Sequence, residues 1–145
     1  MSGIVCAIRG GPESQQTIAR AISLAQSSGL PLHFLYVVNL EFLSRTSGSR
    51  VQTISAEMEQ LGKFILLAAQ TSAAALGVSA FTHVRHGKVD DEIINLCQDV
   101  GASFVVVGWR GEREQSLLTR HLLEKFSQRI TDETEAIVVM SEERA

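Results

Sequence analysis

Five short apolar runs punctuate the chain, and between them apolar residues recur every three or four positions. The runs are Ile4 to Ile8 (IVCAI), Leu32 to Val38 (LHFLYVV), Ala80 to Arg85 (AFTHVR), Ser103 to Val107 (SFVVV) and Ala136 to Met140 (AIVVM). Their β-branched and aromatic content predicts strands, and the near-continuous first run predicts burial on both faces. After Gly10-Gly11-Pro12, where proline suits a first helical turn, Ile18, Ala21, Ile22 and Ala25 predict a helix that Gly29 and Pro31 stop. The polar connection from Asn39 to Arg50, with Ser-Gly-Ser at 47–49, is long for a crossover and predicts a lid or loop over the strand ends. In the long helix that follows, Ile54, Met58, Leu61, Ile65, Ala68, Ser72 and Leu76 form the expected core stripe, closed by Gly77. Val89 to Val100 predicts a helix with Ile93, Leu96, Cys97 and Val100 inward, and Asp90, Asp91 and Glu92 favouring its N-terminal dipole. From Glu112 to Thr131, Leu118, Leu122, Phe126 and Ile130 step by four along a last, charged helix.

Strictly alternating strands and helices predict an α/β fold, here a single domain over 1–145: a five-stranded parallel sheet with helices on both faces and right-handed crossovers. In such sheets ligands sit outside the carboxyl ends of the strands, where strand order reverses. That rule nominates the loops beginning at Arg9, Asn39, His86 and Gly108.

Composition narrows the function classes. With a net charge of −3 over 145 residues, a broad nucleic-acid footprint is not expected, although a local cluster of donors suffices for a small anion. The longest apolar runs are about five residues, short of the ~20 a spanning helix needs, so no membrane segment is expected. The first strand begins at Ile4, which leaves no room for a targeting segment and predicts a cytoplasmic protein. Cys6 and Cys97 fall on apolar faces and read as buried, reduced thiols. His33 and His83 lie inside strands, where a structural role is expected, and no histidine pair has metal-ligand spacing, so no structural metal is expected. No aspartate stands at a strand's carboxyl end to act as a phosphoacceptor.

The richest chemistry lies in Gly108-Trp109-Arg110-Gly111. Two glycines three apart after a strand let backbone N–H groups approach an anion, and Arg110 adds charge-assisted hydrogen bonds. The same glycines also serve an ordinary turn. This strand and turn, the charged helix and the last apolar strand resemble the end of the universal stress proteins, which carry a Gly-x-x-Gly turn, nine residues, and then Gly-Ser or Gly-Thr. The opening IVCAIRGGPESQQTIARAISLAQSSGLPLHFLYVV and the stretch from Phe81 to Ile94 are similar to that family as well, so the resemblance runs from Ile4 to Met140. It implies an adenine nucleotide alpha hydrolase-like fold with Rossmann-type layering. It also implies a non-catalytic cytoplasmic stress-response module, weak ATP hydrolysis being left open. The implied pocket for ATP or another adenine nucleotide lies at the strand carboxyl ends. Carried over by position, Val37, Gly108 and Gly111 match the family's pocket, and Gly10, Gly11 and Ser14 at a helix start read separately as a candidate anion site. Arg9 stands where the family has aspartate, and His121-Leu122 stands where Gly-Ser or Gly-Thr is expected. His121 still offers a hydrogen-bond donor, and the Arg9 guanidinium suits phosphate.

Two other readings stay open. Arg9-Gly10-Gly11-Pro12-Glu13-Ser14 resembles the Ser-Gly-Gly-x-Asp-Ser loop of the ATP pyrophosphatases, which implies an adenylating enzyme using the Arg9–Ser14 loop. Alternatively the pocket is vacant and the protein works by association. The last strand is uncharged, an aggregation hazard if left unpaired. The universal stress resemblance implies that it pairs with its twofold mate, giving a homodimer through Ala136, Ile137, Val138, Val139 and Met140.

Overall fold

Each apolar run becomes a strand, and each run of helical spacing becomes a helix. The computed structural model describes residues 3–10, 14–40, 48–109 and 117–142. In chain order the elements are β1 (Gly3–Ala7), α1 (Ser14–Ser28), β2 (Leu32–Val38), α2 (Gly48–Ala75), β3 (Ala80–His86), α3 (Val89–Val100), β4 (Ala102–Trp109), α4 (Leu117–Glu133) and β5 (Ile137–Glu142). All strand pairs are parallel, in the order β3-β2-β1-β4-β5. The expected α/β architecture is therefore the one observed, and strand order reverses between β1 and β4.

β1 is central and covered on both sides, which its sequence requires: Ile4, Val5 and Cys6 are all fully buried. Alternate residues feed two cores. Ile4, Cys6, Phe34 and Tyr36 face α1 and α2, together with Ile18, Ile22 and Leu66. Val5, Leu35, Val105 and Val107 face α3 and α4, together with Ile93, Leu96, Cys97 and Ile130. The two cysteines are buried and not joined in a disulfide, as their apolar settings predict. Burial pushes the Cys97 thiol up to about 12, which leaves it protonated and unreactive at neutral pH.

Two sequence expectations need correction around α2. The helix already begins at Gly48, so the Ser-Gly-Ser stretch read as loop runs into its first turn, and of the connection only 41–47 lie outside the described residues. The buried face is also rotated from the expected stripe. Leu66, Ala69 and Ala73 face the core, whereas Leu61 and Leu76 are 53% and 57% exposed. Ala68 and Ser72 are exposed too, and Ile54, Met58 and Ile65 lie at the margin. The cause is a close approach: a Cβ added at Gly62 would lie 2.8 Å from Cε2 of the Tyr36 ring. Small residues, not the large ones, bring this helix onto the sheet.

At the end of the sheet where the strands begin, His33 and His83 meet, with Nδ1 of one 2.9 Å from Nε2 of the other. His33 also stacks on Phe81 at a centroid separation of 5.0 Å. Both pKa values are lowered. Burial is the first cause in each, followed for His33 by His83, and for His83 by Arg85 against an opposing Asp99. A histidine pKa lowered by folding means that the unfolded chain binds more protons, so stability falls as pH drops below the ordinary value of about 6.5. Urea titrations between about pH 7 and pH 5 should show that loss, ahead of carboxylate titration. His83→Gln should flatten the slope in this window; an unchanged slope would remove the pair as its source.

Candidate functional site

The reversal of strand order between β1 and β4 opens a cavity of about 440 Å³ at their carboxyl ends. Ala7 and Arg9 come from the end of β1, Asn39 from the end of β2, and Val107 and Gly108 from the end of β4. The start of α3 supplies Lys88, Val89, Asp90 and Ile93, and α4 supplies Leu123 and Phe126. The floor is apolar, made by Val107, Ile93 and Phe126, while Arg9, Lys88, Asp90 and Asn39 supply polar groups. Few convergent polar groups over an apolar surface make the usual composition of a small-molecule site.

Arg9, Asn39 and Gly108, each at the start of a loop nominated by the strand-end rule, line one cavity. Val37 is adjacent: it lines a smaller hollow of about 120 Å³ that shares Ala7, Arg9 and Val89 with the larger one. His86, at the start of a nominated loop, instead approaches Glu59 of α2 at 3.7 Å. Gly10 adopts φ of +87°, the left-handed region that favours glycine, and a Cβ there would lie 2.6 Å from Cδ1 of Ile65. Its role in the structure is thus to carry the chain from β1 past α2 toward α1. Ser14, only 2% exposed, donates its hydroxyl to the Gly10 carbonyl at 2.8 Å. That proton closes the loop instead of pointing outward. Gly11, Arg110 and Gly111 lie outside the described residues, as does the side chain of His121.

Sequence reasoning missed the walls contributed by α3 and α4. Lys88, Ile93, Leu123 and Phe126 carry no motif, and Asp90 was expected only as a dipole carboxylate. In the structure Asp90 and Asp91 both bind Arg129 of α4, at 2.9 and 2.8 Å, and Arg129 also binds Glu133 at 2.8 Å. Glu133 and then Asp91 hold the Arg129 pKa above the ordinary arginine value. Glu92 meets Arg85 at 3.9 Å. The acidic turn of α3 thus fastens α4 beside the cavity. Among the described residues no group of three or more His, Cys, Asp or Glu is placed to hold a metal ion, and no helix is long and apolar enough to cross a membrane.

The last strand, like β3, is an outer strand of the sheet. Ala136 precedes it and is buried in the second core. Val138 and Val139 pack against the two cores, while Ile137 and Met140 are 61% and 39% exposed. A shallow hollow lies alongside, between α4 and β5, lined by Ser127, Thr131, Ile137 and Met140 among others.

Known proteins share this arrangement. The chain is 29% identical over 116 residues to Universal stress protein YxiE of Bacillus subtilis, covering 74% of this chain and 78% of that one. Its fold matches UspA from Lactobacillus plantarum with a TM-score of 0.77 at 14% identity, over 97% of both chains. It also matches the universal stress protein of Archaeoglobus fulgidus in complex with dAMP, with a TM-score of 0.66 at 16% identity over 98% of both chains. The sequence model of the universal stress protein family spans residues 1–141, and the chain belongs to that family.

Proposed function

We propose that this is a non-catalytic, cytoplasmic universal stress module, one domain throughout, that binds an adenine nucleotide in the cavity between the ends of β1 and β4. The observation that carries the reading is the cavity itself: an apolar floor of Ile93, Val107 and Phe126 suited to a flat base, with Arg9, Lys88 and the start of the Gly108 turn at its rim. The dAMP bound by the Archaeoglobus relative supports the ligand class. Gly10, Gly11, Val37, Arg110, Gly111 and His121 remain the proposed supporting contacts.

Purified protein should release ATP, ADP or AMP on denaturation, detected by chromatography. Nucleotide at a hundred times its dissociation constant should add about 2.7 kcal/mol of stability. If no nucleotide is carried and millimolar ATP, ADP and AMP leave the melting temperature unchanged, the reading fails. A second reading, association through the last strand with a vacant pocket, is favoured by the exposed Ile137 and Met140 on an outer strand. The adenylating reading is weakened by Ser14, whose hydroxyl is turned inward onto Gly10.

A further inference from the structure

His33 and His83 stand 50 residues apart in sequence, and strand register alone brings them together. β2 and β3 pair so that His33 lies opposite Phe81 and Leu35 opposite His83. Side chains alternate between faces along a strand, so His83 shares a face with Phe81 and meets His33 on the diagonal, a distance that long side chains span. Phe81 stacks on His33 with the ring planes 18° apart, which restricts how far that ring can swing. His33 Nδ1 and His83 Nε2 are 2.9 Å apart, so one proton serves two nitrogens, one ring donating and the other accepting. Arg85 lies close enough to His83 to lower its pKa, but its guanidinium is held by Asp99 at 2.7 Å and approached by Glu92 at 3.9 Å.

The separation of the two nitrogens is also a metal geometry. Two metal–nitrogen bonds of about 2.0–2.1 Å set at a right angle place their nitrogens about 2.9 Å apart, whereas the tetrahedral angle places them about 3.3 Å apart. The right angle belongs to square-planar and tetragonal sites, the geometry of Cu²⁺ and Ni²⁺, and Cu²⁺ heads the affinity order. We propose that His33 and His83 form a two-imidazole chelate for such an ion, Cu²⁺ before Ni²⁺, which clips the outer strand β3 to β2. The metal takes the place of the bridging proton as both rings turn their lone pairs toward it. That proton passes through solvent to the other nitrogen of its own ring, so a neutral pair binds without net proton release. Folding lowers both pKa values, which keeps the imidazoles neutral and available at pH 7. No third His, Cys, Asp or Glu joins them among the described residues, so water fills the remaining positions. Neither histidine lines the nucleotide cavity, and the chelate stands apart from the function proposed above.

Cu²⁺ alone, titrated calorimetrically into the untagged full chain against glycine as a competing chelator, should bind at one equivalent and raise the melting temperature. Electron paramagnetic resonance of the wild-type complex should show tetragonal Cu²⁺ with two imidazole nitrogens, a result that needs no variant. Removing a group that only orients a metal ligand costs about 10–100-fold in affinity, so His33→Gln and His83→Gln should each cost about a hundredfold or more. Each should also reduce the spectrum to one imidazole, with circular dichroism confirming the fold. His86→Gln, whose native side chain faces Glu59 on α2, should leave affinity and spectrum unchanged. A single imidazole in the wild-type spectrum overturns the assignment. So does an affinity that survives His33→Gln or falls instead with His86→Gln, and so does a failure of Cu²⁺ to bind.

Discussion

Replacing Gly62 with valine should destabilise the fold by about 2 kcal/mol, within the range for overpacking a filled core. For a chain near 150 residues that is a fall of roughly 4–8 °C in melting temperature. Helix propensity alone would remove this residue. Glycine inside a helix costs about 1 kcal/mol relative to alanine, so Gly→Ala on a free helical face stabilises. At Gly62 the direction reverses, because a Cβ would meet the Tyr36 ring at 2.8 Å for Cε2 and 3.0 Å for Cγ. Tyr36 is itself buried in the first core, on a strand between two others, so a shift of its ring disturbs the packing around it. Gly62→Ala should therefore also lose stability, and Gly62→Val more so. Urea or thermal unfolding measures both, with Ser72→Ala on the exposed side of the same helix as a neutral control. A stabilised Gly62→Ala protein would mean that α2 does not approach the sheet at this point.

The same contact explains which parts of the fold were legible. β1, β2 and β4 were plain in the sequence because strands covered by helices on both sides have little choice but to be apolar. The amphipathic face of α3 was equally plain: Ile93, Leu96 and Cys97 are buried as their spacing predicts. α2 was not, because it is apolar around most of its circumference. From Leu61 to Leu76 Lys63 is its only charged residue, and Phe64 and Leu67 are exposed. Counting large apolar residues then selects a face by size. The physical criterion was closeness, which selects Gly62, Ala69 and Ala73. No periodicity argument distinguishes these when both faces are apolar.

The site divides in a similar way. Strand ends follow from topology, and topology follows from alternation, so Arg9, Asn39 and Gly108 could be nominated without coordinates. Lys88, Ile93, Leu123 and Phe126 depend on where two helices come to rest across the sheet. That position is set by pairs such as Asp90 with Arg129, separated by 39 residues in sequence. Nothing local in either segment marks the pairing. The family resemblance drew attention to Arg9 as a departure; the structure adds that Lys88 lines the same cavity.

The outer strand makes the other large prediction. Wild-type protein should sediment as a dimer at micromolar concentration, and Ile137→Lys should raise the dimer dissociation constant by about a hundredfold, the scale of like-charge juxtaposition costing several kcal/mol. Twofold symmetry doubles the effect of each substitution, since the same strand is presented by both partners. Position matters to the test. Val138 packs against the second core, so a charge there would damage the protomer as well as the pairing. Ile137 is 61% exposed, and a lysine can hold its charge in water in the protomer. Only association should then bring two such charges close. The melting temperature of the wild type should rise with protein concentration if folding and pairing are linked, and that of Ile137→Lys should lose the dependence. A wild-type monomer, or an Ile137→Lys dimer of unchanged affinity, would show that β5 remains an edge in solution. The strand would then have to be kept from aggregating by its shortness and by its polar end at Ser141 and Glu142.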